Sequence, residues 1–205
     1  MNPTRVLGLD TETTHLEPSR GWPWEWGLTI WSETPAGWVE ENFARFVVGT
    51  PLDFKGNVRR EANLFSLEIA GLQRAWKDIK AAPAPAEAVR GMAFWLNKVK
   101  ATDLPIIAYN APFDATQCSE LGFLAGSYDV RAKVFEFNAL PLSGVWIDPL
   151  QLARNTMPAP HKLAEIAPRL GVGTQDDEHG ALPDARLAVK VWLALTGRKI
   201  AQEAA

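Results

Sequence analysis

A four-residue apolar run near the start, Val6-Leu7-Gly8-Leu9, does most to limit how this chain folds, because it ends at once in Asp10-Thr11-Glu12. A short apolar run of this kind suits a buried strand. Side chains two apart on a strand point to one face, so Asp10 and Glu12 can meet a single cation. The pairing alone is weak, since 24 acidic residues among 205 give about three such pairs by chance. Its position strengthens it: open α/β sheets place their ligands at the carboxyl ends of their strands.

Other segments supply the remaining parts of such a sheet. Leu28 to Trp31 and Trp38 to Val48 read as strands, separated by a turn at Thr34-Pro35-Ala36-Gly37. Ile106-Ile107-Ala108-Tyr109 reads as another buried strand. Ala81 to Ala86 reads as a loop feeding a helix from Ala86 to Lys100. Further helices are predicted from Pro112 onward, from Lys162 to Leu170 before Gly171, and from Asp184 to Leu195 before Gly197. Strands first, then strands alternating with helices, predict one α/β domain over residues 1–205, with a mixed central β-sheet flanked by helices.

Composition narrows the function classes. A hydrophobic share of 47% and a charged share of 22% are ordinary for a soluble domain with its own core. Cys118 is the only cysteine, which excludes an internal disulfide framework. The N-terminus reads as neither a signal peptide nor a membrane span, so a cytoplasmic protein with no membrane contact is expected. A net charge of −3 is not the footprint of a long basic nucleic-acid channel. Setting four site carboxylates aside leaves 20 acidic residues against 21 basic ones, a nearly neutral surface that permits a local grip on a chain end.

Two further segments carry chemistry. Asp114 follows the Ile106–Tyr109 run after Asn110-Ala111-Pro112-Phe113, and Pro112 suits the first turn of a helix beside the sheet. A carboxylate there is also favoured by the helix dipole alone. In His179-Gly180-Ala181-Leu182-Pro183-Asp184, Pro183 suits a helix opening, which puts Asp184 in the first turn and His179 on the loop before it. An imidazole beside a fixed carboxylate can accept a proton near neutral pH.

Taken together, Leu7-Gly8-Leu9-Asp10-Thr11-Glu12-Thr13-Thr14, Tyr109-Asn110-Ala111-Pro112-Phe113-Asp114 and His179 to Asp184 resemble the three motifs of the DEDDh 3′→5′ exonucleases, which have a ribonuclease H-like fold. Glu25-Trp26-Gly27 is similar to the start of that family's second strand, and Lys162 to Val172 to the helix before its third motif. The resemblance runs in order over nearly the whole chain. Histidine five residues before the last aspartate marks the histidine subgroup; the tyrosine subgroup would carry its tyrosine at Gly180. Two positions depart from the pattern: Tyr109 stands where the family often has histidine, and Ile69-Ala70-Gly71-Leu72 where many members have Ile-His-Gly-Ile.

The resemblance implies two magnesium or manganese ions, with Asp10 bridging both, Glu12 and Asp184 on the first and Asp114 supporting the second. His179 would act as the general base. Thr11, Thr13, Leu16, Asn110 and Phe113 would meet the substrate, a single-stranded DNA or RNA 3′ end from which nucleoside 5′-monophosphates are released. A homodimer and an association with a replication or repair protein both stay open. The chain ends soon after Gly197, where the proofreading member has a polymerase-binding tail, so a proofreading subunit is not expected.

The residues leave two other classes standing: a non-catalytic binding module that keeps the fold, and a phosphoryl hydrolase unrelated to nucleic acid. Trp22, Trp24 and Trp26 suit either base stacking or packing of a strand face. Arg59, Arg60, Arg131 and Lys133 suit phosphate contacts or plain solvation. His15 and His161 read as surface histidines, and Cys118 as a small buried residue.

Overall fold

The computed structural model describes residues 3–15, 21–49, 72–129, 134–136, 139–175 and 179–201. Strand β1 (Arg5–Thr13) pairs antiparallel with β2 (Pro23–Thr34), which pairs antiparallel with β3 (Gly37–Val47). Helices α1 (Leu72–Ala81) and α2 (Pro85–Lys98) lead to the short strand β4 (Ile106–Ile107), which lies parallel to β1 on its other side. After α3 (Ala111–Leu124) come a small hairpin, β5 (Ser127–Asp129) with β6 (Val134–Glu136), and then β7 (Trp146–Ile147), parallel to β4. Helices α4 (Pro149–Thr156), α5 (Leu163–Arg169) and α6 (Ala181–Leu195) follow. The main sheet has the order β3-β2-β1-β4-β7 and is mixed, with helices on both faces. This is the architecture expected from the sequence.

Alternation along β1 explains the three layers. Leu7 and Leu9 point to one face, where Trp26, Leu28 and Ile30 of β2 join Val89, Met92 and Leu96 of α2 and Leu121 of α3. Val6 points to the other face, against Val189, Trp192 and Leu193 of α6. Helix α6 is buried on nearly every side, because Leu187 and Val191 pack away from the sheet onto Ala153 of α4 and Leu163, Ile166 and Ala167 of α5. A narrow strip carrying Arg186 and Lys190 is partly exposed, as expected of a helix packed on two sides.

Several elements differ from the expected ones for local reasons. β2 starts at Pro23 rather than Leu28, since buried Glu25 sits within a row of buried tryptophans and breaks the apolar pattern. β4 stops at Ile107 instead of Tyr109. Helix α6 opens at Ala181, three residues before Asp184, because extended Gly180 (φ −148°) precedes it and Pro183 is tolerated within the first turn. Helices α1 and α4 and the strands β5, β6 and β7 were not anticipated. Trp22, Trp24 and Trp26 are buried, which favours packing over stacking on bases. Leu16, Arg59, Arg60, Arg131 and Lys133 lie outside the described residues, as does most of Ile69 to Leu72. Among the described residues, no helix is long and apolar enough to cross a membrane.

Two glycines let α6 approach the sheet. A Cβ at Gly8 would come within 2.5 Å of Thr29 and 2.6 Å of Val189. One at Gly27 would lie 2.1 Å from the carbonyl carbon and oxygen of Ala181, the first residue of α6. Backbone cannot yield as a flexible side chain can, so Gly27→Ala is expected to destabilise the protein by about 3 kcal/mol or more through overpacking. Gly91→Ala in α2, whose Cβ would meet only Phe46 at 3.8 Å, serves as the control and should be neutral or stabilising. Urea unfolding of both variants checks this, and equal midpoints would refute the close-approach argument.

Candidate active site

The carboxyl end of β1 brings Asp10 opposite Gly27 and Glu12 opposite Glu25 of β2, just before a register shift at Thr13. Both acidic side chains share the sheet face that α6 covers. Gly27 leaves room for the α6 backbone, and the first turn of that helix places buried Asp184 against them. The Asp184 amide donates to the Gly180 carbonyl at 3.1 Å, which fixes the turn that carries the carboxylate.

Asp114 arrives from the opposite layer. It sits in the first turn of α3 and is only 2% exposed. The Thr11 hydroxyl, on the β1 face opposite to Asp10 and Glu12, donates to its Oδ1 at 2.8 Å. Asn110 makes the sharp entry to α3 in the left-handed region (φ 68°), which asparagine tolerates better than most residues. Its amide donates to Asp148 Oδ1 at 3.0 Å, and that same oxygen caps α4 by accepting from the Leu150 amide at 2.9 Å.

His179 lies on the loop before α6, with its side chain 36% exposed. Its Nδ1 stands 3.7 Å from Asp184 Oδ2 and 3.4 Å from Gln175 Nε2. Gln175 donates to that Asp184 oxygen at 2.6 Å. Together Asp10, Thr11, Glu12, Tyr109, Phe113, Asp114, Leu163, Gln175, His179 and Asp184 line a pocket of about 180 Å³. Sites that enclose a whole small molecule usually span about 300–1,000 Å³, so this one suits the reacting end of a larger substrate.

Of the residues expected to touch substrate, Thr11 and Phe113 line the pocket. Thr13 is buried and its hydroxyl donates to the His15 carbonyl at 2.8 Å, while Asn110 is exposed at the α3 turn. Gln175 was not singled out in the sequence; it stands in a polar loop whose spacing carries no motif. Tyr109, at the position where the resembled family often has histidine, donates its hydroxyl to the His161 carbonyl at 2.5 Å. Burial pushes that phenol up to about 12, so it stays neutral at physiological pH.

Burial of the carboxylates dominates the electrostatics, and neighbouring charges add to it. Burial, then Asp114, Asp184 and Glu12, hold Asp10 well above the ordinary carboxylate range. Burial and the Asp184 charge push Glu12 up to about 8, with Arg74 pulling the other way. Burial raises Asp114 to about 7 despite the Thr11 hydrogen bond. Protons or cations must offset such charges, and oxygen donors of this kind suit hard divalent ions. Ligand atoms of Glu12, His179 and Asp184 all lie within 4.8 Å of one another, which fits one ion.

No family model matches the chain. It is 29% identical over 199 residues to DNA polymerase III subunit epsilon of Rickettsia prowazekii (strain Madrid E), across 96% of this chain and 76% of that protein. Its fold is similar to that of Escherichia coli exonuclease I bound to a 5cy-dT13 oligonucleotide (TM-score 0.66, 14% identity, 97% of this chain). The chain spans only 42% of that enzyme. A 3′-exonuclease specific for the histone mRNA stem-loop 3′ end is also similar in fold (TM-score 0.64, 12% identity, 96% of this chain and 83% of that one). The chain thus shares the fold of these exonucleases, a mixed five-stranded sheet flanked by helices.

The raised carboxylates make stability depend on pH with a definite sign. Between its ordinary value of 4.5 and its folded value of about 8, Glu12 binds a proton more tightly in the folded protein. The stabilisation is therefore complete below about 4.5 and is lost as pH rises through about 8; Asp114 adds the same trend between 3.8 and about 7. Melting in EDTA should fall from pH 5 to pH 8.5, and magnesium should raise the midpoint more at pH 8 than at pH 5. A melting point independent of pH in EDTA would count against the crowding.

Proposed function

We propose that this protein hydrolyses phosphodiester bonds at nucleic-acid 3′ ends, releasing nucleoside 5′-monophosphates, with single-stranded DNA as the preferred substrate. The observation that carries the reading is the convergence of Asp10, Glu12, Asp114, Asp184 and His179 on one pocket from three separate elements and a loop. The polymerase subunit and the oligonucleotide-bound exonuclease I among its likenesses point to DNA by name, and the histone mRNA 3′-exonuclease keeps RNA as the alternative substrate.

Asp10, Glu12 and Asp184 would hold one divalent ion and Asp114, with Asp10, a second. Magnesium or manganese bound there would supply Lewis acidity, lowering a water's pKa and offsetting charge on the phosphate and the leaving 3′ oxygen. The protein's own residues then do the following. His179 accepts the attacking water's proton from a loop half open to solvent. Gln175 bridges Asp184 and His179 and keeps the imidazole beside the carboxylates. Thr11 orients Asp114, while Phe113 and Leu163 supply apolar walls for the terminal nucleoside. The nearly neutral surface fits an enzyme that grips an end rather than a long track. By the same likeness to a polymerase subunit, a replication or repair protein is the partner to seek.

Matched 5′-labelled DNA and RNA strands, incubated with magnesium, manganese or EDTA, test this directly. A metal-dependent ladder shrinking from the 3′ end is expected, faster on DNA. Asp184→Asn should abolish it with the fold intact, and His179→Ala should slow it by about 10²–10⁴-fold, as loss of a general base does. Intact oligonucleotides alongside hydrolysis of small phosphate esters would favour an unrelated phosphoryl hydrolase. Binding without hydrolysis would favour a non-catalytic module.

A further inference from the structure

Arg74 joins two parts of the molecule that are far apart in sequence. From α1 its Nη1 donates to Glu25 Oε2 at 2.8 Å, and its Nη2 donates to the His179 carbonyl oxygen at 2.6 Å. The guanidinium carbon stands 5.5 Å from the centroid of the Trp24 ring, within cation–π range. Glu25 is a firm anchor for this reach. It is 1% exposed, lies on β2 directly across from Glu12, and gives its other oxygen to Arg45 Nε of β3 at 2.5 Å. Arg45 in turn binds Asp78 of α1 at 2.5 Å, so the same helix is tied to the sheet twice.

The far end of the link is otherwise soft. His179 precedes Gly180, whose backbone is extended, and its side chain is half open to solvent. Gln175 meets the ring at 3.4 Å, and whatever holds the His179 carbonyl fixes the backbone from which that ring projects. Arginine suits the task because its planar fork presents donors in several fixed directions, and one guanidinium can serve a carboxylate and a carbonyl at once. A lysine ammonium also has three donors, but they radiate from one nitrogen and cannot reproduce the fork's two separated donor atoms.

We propose that Arg74 is a positioning residue: anchored on Glu25, it fixes the His179 backbone and so the place from which the imidazole takes the proton. The proposal rests on the reading of His179 as the general base. Because Arg74 touches no reacting atom, its loss should lower kcat and leave KM nearly unchanged. A misplacement of about 1 Å can slow a reaction by about 10²-fold, so a loss of about 10–100-fold in kcat is expected.

The test compares wild type, R74Q, R74K, H179A and the double variant R74Q/H179A on 5′-labelled single-stranded DNA, with hydrogen exchange on the metal-free proteins. R74K keeps a charge for Glu25, and so the fold, but lacks the two separate donor nitrogens that Arg74 uses; it should lose about 10-fold or more in kcat. In the H179A background, R74Q should cost far less than in the wild type, since only Arg74's pull on Glu12 is then left to lose. Amides from His179 to Leu182 should exchange faster in R74Q and R74K, with β1 amides unchanged. An equal loss from R74Q with and without His179, wild-type kcat in R74K, or unchanged exchange at His179 to Leu182 would each overturn the proposal. A wild type inactive on every oligonucleotide would instead defeat the exonuclease reading, and the exchange data would still decide the tether.

Discussion

The burial of several carboxylates in one pocket is the constraint the rest of this molecule answers to. Asp10, Glu12, Asp114 and Asp184 share one pocket, and burial and neighbouring charge raise the proton affinity of the first three. Such an arrangement does not arise from packing preference, because apolar residues of similar volume would fill the space at lower free energy. The rest of the fold supplies what the crowding demands. Glycine at positions 8 and 27 lets α6 come close enough to add a fourth charge, and two arginines ion-pair with a fifth acidic group, Glu25, whose charge still raises Asp10 and Glu12.

Rigidity is distributed unevenly around the pocket. The four carboxylates ride on β1 and on the first turns of α3 and α6, elements embedded in three apolar clusters. Their spacing is set when the sheet and helices dock. His179 has no such support from secondary structure and is placed by side chains, Gln175 and Arg74. The positions of the carboxylates are thus set by the core, and that of the imidazole by side-chain contacts.

Much of this was legible in the sequence, and the limits have physical causes. The apolar run before Asp10, proline near the α3 and α6 openings and glycine after α6 are local signals, and they put all five pocket residues on the right elements. The strands β4 and β7 hold two residues each, too few for a periodic pattern to emerge. Helix α4 had a readable start in Asp148-Pro149, an N-cap followed by proline, that was not used. Gln175, Glu25 and Arg74 were beyond reach for another reason. Their roles come from contacts between segments up to 105 residues apart, and no local spacing encodes those.

The burial of the tryptophans has an optical consequence. Trp22, Trp24, Trp26, Trp31, Trp38 and Trp192 are all under 9% exposed, so most of the described indoles report the interior in their ultraviolet emission. Trp24 differs from the rest in lying beneath a guanidinium that also holds the His179 loop. Its emission colour and quenching therefore track the state of that loop from inside the protein, which makes the chain a carrier of its own spectroscopic reporter without any added dye.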